Sequence, residues 1–182
     1  MVHGLLALAR LGNTATTPEP TDLDAMLADR AAMWQSLAAE QHVILAVTRT
    51  TAGRVWAIPG ALEQVIDNLV ANALRVSPPG TTLTRAPGAE PHVIDQGPGM
   101  PPADRERAFD RFWRASDSHH DGTGLSLPIV RPLVRASGGE ITLHPAPDGG
   151  LDARVCLHPL AHGLTRAGDG SPRPTRATAP AH

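Results

Sequence analysis

The 182-residue sequence predicts an α+β domain in which one sheet is covered on one face by helices. Apolar residues recur at helical spacing in several segments, and short aliphatic runs between them read as strands. Glycine and proline clusters separate these pieces, and there are no internal repeats.

In chain order, Leu5, Leu6, Leu8 and Leu11 read as the last turns of a helix, and Gly12 to Pro20 as a linker carrying Pro18 and Pro20. Asp22 is a suitable N-cap for a helix to about Gln41, with Leu23, Met26, Leu27, Met33, Trp34 and Leu37 in phase. Val43–Thr48 and Arg54–Ile58 are strand candidates, and Pro59-Gly60 breaks the chain before a helix from Ala61 to Val76. Short strands are expected at Thr81–Thr84 and His92–Asp95. A charged amphipathic segment then holds Phe109, Phe112 and Trp113. A polar loop from Ser116 to Gly124 precedes an apolar helix to about Ala136, stopped by Gly138-Gly139. Strands at Glu140–His144 and Ala153–Leu157 flank the turn Asp148-Gly149-Gly150. The expected domains are 1–20, a helix remnant and linker; 21–160, the folded unit; and 161–182, a disordered tail rich in Pro, Arg, Thr and Ala.

Composition narrows the chemistry. All 16 basic residues are arginine, so no amine side chain exists for a Schiff base or a phosphate-gripping lysine. A net charge of −2 points to neither a nucleic-acid nor a membrane partner. Cys156 is the sole cysteine, which excludes a disulfide framework within the chain, and its place on a late strand suggests a small buried group. No stretch has the apolar length of a membrane span, and the opening residues lack a basic leader and cleavage site. A cytoplasmic location is the expectation.

Three segments carry candidate chemistry. At 100° per residue, Asn68, Asn72 and Arg75 fall on one side of their helix, while Leu62, Val65, Ile66, Leu69 and Ala73 form a separate apolar face. Amide oxygens are hard ligands suited to Mg²⁺, and a guanidinium fork suits phosphate oxygens. A solvated helix face has the same pattern. In Val93-Ile94-Asp95-Gln96-Gly97-Pro98-Gly99-Met100, a carboxylate and bare backbone meet at a strand end. They suit an exocyclic amine on a planar base, or equally a simple Asx turn. Asp121-Gly122-Thr123-Gly124-Leu125 leads into a helix and offers N–H groups to an anion, without the lysine of a Walker loop. His119 and His120 are adjacent in sequence and read as loop rather than metal site.

The order and company of these pieces resemble the ATP-binding domain of bacterial two-component histidine kinases, within the wider gyrase–Hsp90–kinase–MutL ATPase group. Asn68-Leu69-Val70-Ala71-Asn72-Ala73, trailed by Arg75 and Ser77-Pro78-Pro79-Gly80, resembles the N box. Asp95-Gln96-Gly97-Pro98-Gly99-Met100 resembles the first glycine box, and Ala108 to Arg114 the phenylalanine box. Gly122-Thr123-Gly124-Leu125 resembles the second glycine box, and Ser137-Gly138-Gly139 the close of the helix after it. The resemblance spans about Leu5 to Leu160 and implies a two-layer sandwich with a mixed sheet. It implies ATP and Mg²⁺ as cofactors, with Asn72 on the metal and Asn68 supporting it as catalytic residues. By the same likeness Arg75 and Arg114 contact phosphates, and Asp95, Gly97, Gly99 and Met100 form the adenine pocket. Gly122, Thr123, Gly124 and Leu125 would make the hinge and phosphate cradle of a lid, which Phe109 and Phe112 anchor.

The family's phosphoacceptor histidine lies on a helix ahead of the segment that Leu5 to Arg10 resembles, and His3 has the wrong surroundings to replace it. The expected function is therefore the ATP-binding half of a split histidine kinase. It would phosphorylate a histidine on a separate dimerisation protein and, through it, feed a response regulator. A regulatory or decoy nucleotide-binding module fits the same residues, as does an anti-sigma-factor-type serine kinase; the Leu5–Leu11 segment argues against the latter. Departures from the family pattern are Val76 where an aromatic is common, a short Thr81–Asp95 stretch, Ser126 for glycine, and Pro132 inside a helix. Pro132 is expected to kink that helix or cost about 3 kcal/mol.

Overall fold

The structure, a computed structural model, describes residues 17–47, 53–80, 82–85, 90–110 and 126–160. Strands β2 (Ile44–Val47), β4 (Thr82–Arg85), β5 (His92–Ile94), β6 (Glu140–Pro145) and β7 (Leu151–Cys156) form one five-stranded sheet in the order β2-β4-β5-β7-β6. The β2–β4 pair is parallel and the others antiparallel, so the sheet is mixed. Its alternation decides the layers: Val93, Ile141, Leu143, Ala153 and Val155 are buried against the helices, while Glu140, Thr142 and Arg154 face out. Cys156 follows that outward register and is exposed, not buried as its place on a late strand suggested. The outer face still holds one buried acid, Asp152, paired with His92 Nδ1 at 3.1 Å and Arg154 Nε at 2.8 Å.

Helix α1 (Leu23–Glu40) starts where expected, with the Asp22 carboxylate accepting from Ala25 N at 3.0 Å. It buries Leu23, Met26, Leu27 and Ala38. Helix α2 (Ala61–Val76) has the bounds read from sequence, entered from Gly60 in a left-handed conformation and left through Ser77, whose hydroxyl donates to Ala73 O at 2.7 Å. The two helices are clipped at Asp67, which accepts from Trp34 Nε1 at 2.8 Å and pairs with Arg30 at 3.5 Å. Helix α3 (Pro102–Arg107) is short, and α4 (Ser126–Ala136) runs through Pro132 without a break. The ring removes a bond that would have gone to Pro128, only the third residue of α4, so most of the helix keeps its ladder.

The expected single sheet is accompanied by a second. Strand β1 (Glu19–Asp22) pairs antiparallel with β3 (Arg54–Ala57), so Glu19 and Pro20, read as linker, are strand residues. Proline is tolerated there because β1 is an edge strand that, among the described residues, pairs with β3 alone. The other side of β3 is closed by Leu160 N donating to Arg54 O at 2.8 Å. At the end of β3, the buried Ser137 hydroxyl accepts from Ile58 N at 3.2 Å, joining β3 to the end of α4. Ser137→Ala would leave that N–H unpaired and is expected to destabilise the fold by about 1–3 kcal/mol. A urea unfolding midpoint indistinguishable from wild type would show that the bond contributes nothing.

Candidate functional site

Helix α2 supplies one wall. Its apolar face, including Leu62, Val65, Ile66, Leu69 and Ala73, is buried, which fixes how the polar face points. Asn68 turns its amide back on its own helix, Nδ2 donating to Gln64 O at 2.7 Å. Asn72, one turn on, uses its oxygen: Arg75 Nη2 donates to Asn72 Oδ1 at 3.0 Å. The other end of that amide, Nδ2, is buried with no partner among the described residues. Asn68 is therefore absent from the pocket lining, whereas Asn72 and Arg75 are in it.

The facing wall is built from strand ends. Asp95 follows β5 and is 6% exposed. Its Oδ1 accepts from Gly97 N at 2.8 Å and Leu151 N at 3.2 Å, and its own N–H donates to Leu151 O at 2.9 Å. Both fixed donors fall on one oxygen. Oδ2 has no protein partner among the described residues and is left for a ligand's donor. Burial pushes the Asp95 carboxyl above its ordinary value, and the Gly97 and Leu151 N–H groups pull it partly back.

Glycines make this corner possible. A Cβ on Gly97 would sit 2.9 Å from both Val76 Cγ2 and Val76 O, so the bare backbone is needed to pack the turn on the end of α2. Gly99 adopts φ 73°, and a Cβ there would come 3.0 Å from Gly150 O. A side chain on Gly150, at φ 88°, would collide with the carbonyl of Asp95. The sequence marked Gly150 only as a hairpin turn; its neighbour's bond to Asp95 spans 56 residues, and no local signal reports it.

Between the walls lies a pocket of about 110 Å³. Asp95, Gly99 and Met100 line it with Asn72 and Arg75, and Gly97 stands directly behind Asp95. Val76, already marked in the sequence as standing where an aromatic is common, also lines it, with Leu127, Leu143 and Ala153, which the sequence did not mark as site residues. Met100 is held from behind by Arg105 Nε donating to its carbonyl at 3.0 Å. Phe109 is buried under the Arg131 guanidinium, which lies 3.9 Å from the ring centre and pairs with Glu106 at 2.8 Å. That clamp ties the segment after α3 to α4. Arg114, Gly122, Thr123, Gly124 and Leu125 lie outside the described residues, as do Phe112, His119 and His120.

The arrangement suits a flat apolar ring bearing one exocyclic amine, with anionic groups trailing toward Arg75. Its pH behaviour follows from the raised Asp95 value. Protonation favours the folded state, so the stability tied to Asp95 is fully present below its ordinary 3.8 and is lost as pH rises through the folded value. Asp95→Asn keeps an oxygen for the Gly97 and Leu151 donors. The variant is expected to match or exceed wild-type melting temperature at neutral pH, with any gain vanishing in acid. A melting temperature well below wild type at pH 7 would contradict this.

The comparisons with known proteins agree with this geometry. The profile of the histidine kinase-, DNA gyrase B- and HSP90-like ATPases matches residues 57–161. The sensor-like histidine kinase SenX3 of Mycolicibacterium smegmatis is 31% identical over 160 residues, covering 82% of this chain and 42% of its own length. The chain thus spans less than half of that relative. Among solved structures, full-length ShkA in complex with AMPPNP superposes with a TM-score of 0.68 at 27% identity, covering 87% of this chain and 35% of ShkA. The ATP-binding domain of PrrB from Mycobacterium tuberculosis gives a TM-score of 0.63 at 21% identity, covering 79% of this chain and 98% of that domain, which supports the fold. With Asp95, Gly97 and Gly99 gathered at one strand end and Asn72 and Arg75 opposite, the chain belongs to the family of histidine kinase-, DNA gyrase B- and HSP90-like ATPases.

Proposed function

We propose that this domain binds Mg²⁺-ATP and passes the γ-phosphate to a histidine on the dimerisation domain of a partner chain, in a two-component relay that ends at a response regulator. The observation that carries the nucleotide half is the buried Asp95 carboxylate in the pocket lining, whose two backbone donors both fall on Oδ1 and leave Oδ2 without a partner among the described residues. Oδ2 accepts from the exocyclic amine of adenine, while Leu143, Ala153 and Val76 exclude water from the ring. Val76 offers less stacking area than an aromatic residue at that position. Arg75, on the last turn of α2, reaches the phosphates, and Asn72 supplies an amide oxygen to the metal. The donor set fits a magnesium site: one hard oxygen on a half-buried helix face, beside a cation for phosphate, leaves room for the waters and phosphate oxygens the ion requires. Magnesium neutralises phosphate charge and orients the terminal group. Asn68 supports the site from one turn earlier, and Arg114 with Gly122, Thr123, Gly124 and Leu125 completes the phosphate side.

Phosphoryl transfer breaks the bond from the γ-phosphorus to the ADP oxygen and forms a bond to an imidazole nitrogen, in line. Among the described residues none lining the pocket is a histidine, and the acceptor is proposed, by resemblance to the family, on the dimerisation domain. Calorimetric titration tests the first half: Asp95→Asn is expected to weaken ATP by about 1.5–3 kcal/mol, the worth of a hydrogen bond to a charged group. Incubation with γ-labelled ATP and a histidine-bearing dimerisation domain tests the second. Acid-labile label is expected on that domain, and Asn72→Ala should stop it. Firm ATP binding with no transfer would favour a regulatory nucleotide-binding module instead.

A further inference from the structure

Resting on the nucleotide reading above, we propose that Arg75 is a placeholder on the metal-binding amide. It holds the Asn72 oxygen and releases it when a phosphate draws the guanidinium away, so that a divalent cation binds this amide more tightly once a nucleotide phosphate is in place.

The argument starts from the Asn72 amide. Its oxygen accepts from Arg75 Nη2 at 3.0 Å, and its Nδ2 is buried without a partner. A surface pair at i, i+3 is ordinarily an incidental contact of two solvated side chains. Here the amide accepts an unpaired buried donor in order to keep its oxygen on the guanidinium. Turning the amide over would set NH₂ against NH₂ of the guanidinium, donor against donor, so Arg75 fixes its orientation. The end left pointing into the protein cannot ligate a cation, and the end that can is engaged by a positive charge. A divalent ion approaching that oxygen meets both the loss of a lone pair and repulsion from Arg75.

Asn68 does not substitute, because its amide is anchored by Nδ2 to Gln64 O and receives nothing from Arg75. The latch therefore acts on one amide alone. Arg75 is also able to leave. It is exposed, it sits on the last turn of α2, and among the described residues Asn72 is its one hydrogen-bond partner and no acid pairs with it. A phosphate offers it charge-assisted bonds in exchange for a neutral amide oxygen. The departure of Arg75 then frees the oxygen and removes the repelling charge in one movement. By reciprocity, a cation on Asn72 favours Arg75 on the phosphates, so each ligand strengthens the other.

Side-chain NMR on the whole chain reads this without catalysis. With EDTA present, ADP should shift the Asn72 side-chain NH₂ and Arg75 Nε signals, whereas adenosine should shift only the Gly97 and Gly99 amides. Mn²⁺ alone should broaden the Asn72 NH₂ signal at a roughly tenfold lower concentration in Arg75→Met than in wild type, an ordinary size for coupling between sites. The latch is overturned if ADP in EDTA moves Gly97 and Gly99 but leaves Asn72 and Arg75 in place, a result that needs no variant. Equal Mn²⁺ response in the two proteins, including none in either, also overturns it. If ADP moves neither Gly97 nor Gly99, the nucleotide reading itself fails and the latch with it.

Discussion

A carboxylate buried at the end of a strand has to be held by donors that cannot move away, and the Asp95 site is organised by that requirement. Two backbone N–H groups, from Gly97 and Leu151, share its Oδ1. To bring both there, the turn after β5 must fold tightly against Val76, and the hairpin between β6 and β7 must come close enough that only a glycine fits at position 150. The order β5-β7-β6 follows from the same contact, since Asp95 and Leu151 also exchange a backbone bond just beyond the ladder. Burial of this carboxyl costs stability and raises its pKa, and places an acceptor in the pocket lining.

Helix α2 turns that acceptor into a two-ended site. Its buried face is committed to the core, so the amides and guanidinium of the other face have one place to point. Asp95 on one side and Asn72 with Arg75 on the other therefore sit on independent elements, a strand end and a helix, joined by packing between α2 and β5. Under the proposed function such a division would let base and phosphate be read by separate walls, with the Arg75–Asn72 bond on the phosphate side. Phe109 and Arg131 work at a different point, tying the chain after α3 to α4 beside the pocket.

Much of this was legible in the sequence because it is local. The bounds of α2, the Asp22 cap of α1 and the common side of Asn72 and Arg75 depend on residues within a few positions of each other. The acid-and-glycine corner at Asp95 was equally visible, down to the glycines that shape it. The missed features depend on partners far along the chain. Gly150 and Leu151 matter through a contact 56 residues away, and Ser137 through one 79 residues away. The pairing of β1 with β3 turned two residues with linker composition into strand, because an edge accepts proline. Cys156 was misread for a related reason: its side is set by the register of β7 against β6, which composition does not carry. Spacing placed Asn68 beside Asn72, but not the bond by which Asn68 Nδ2 donates to Gln64 O, and of the two amides Asn72 lines the pocket.

The central claim is that Asp95 reads the exocyclic amine of adenine. Comparing ADP with inosine diphosphate probes it, because the two share ribose and phosphates and differ at one edge of the base, where the exocyclic amine becomes a carbonyl and N1 gains a hydrogen. Calorimetry on the intact chain is expected to give inosine diphosphate an affinity at least about tenfold weaker, since a carbonyl oxygen would replace the amine that donates to the Asp95 carboxylate. Equal affinities for the two nucleotides would contradict the account.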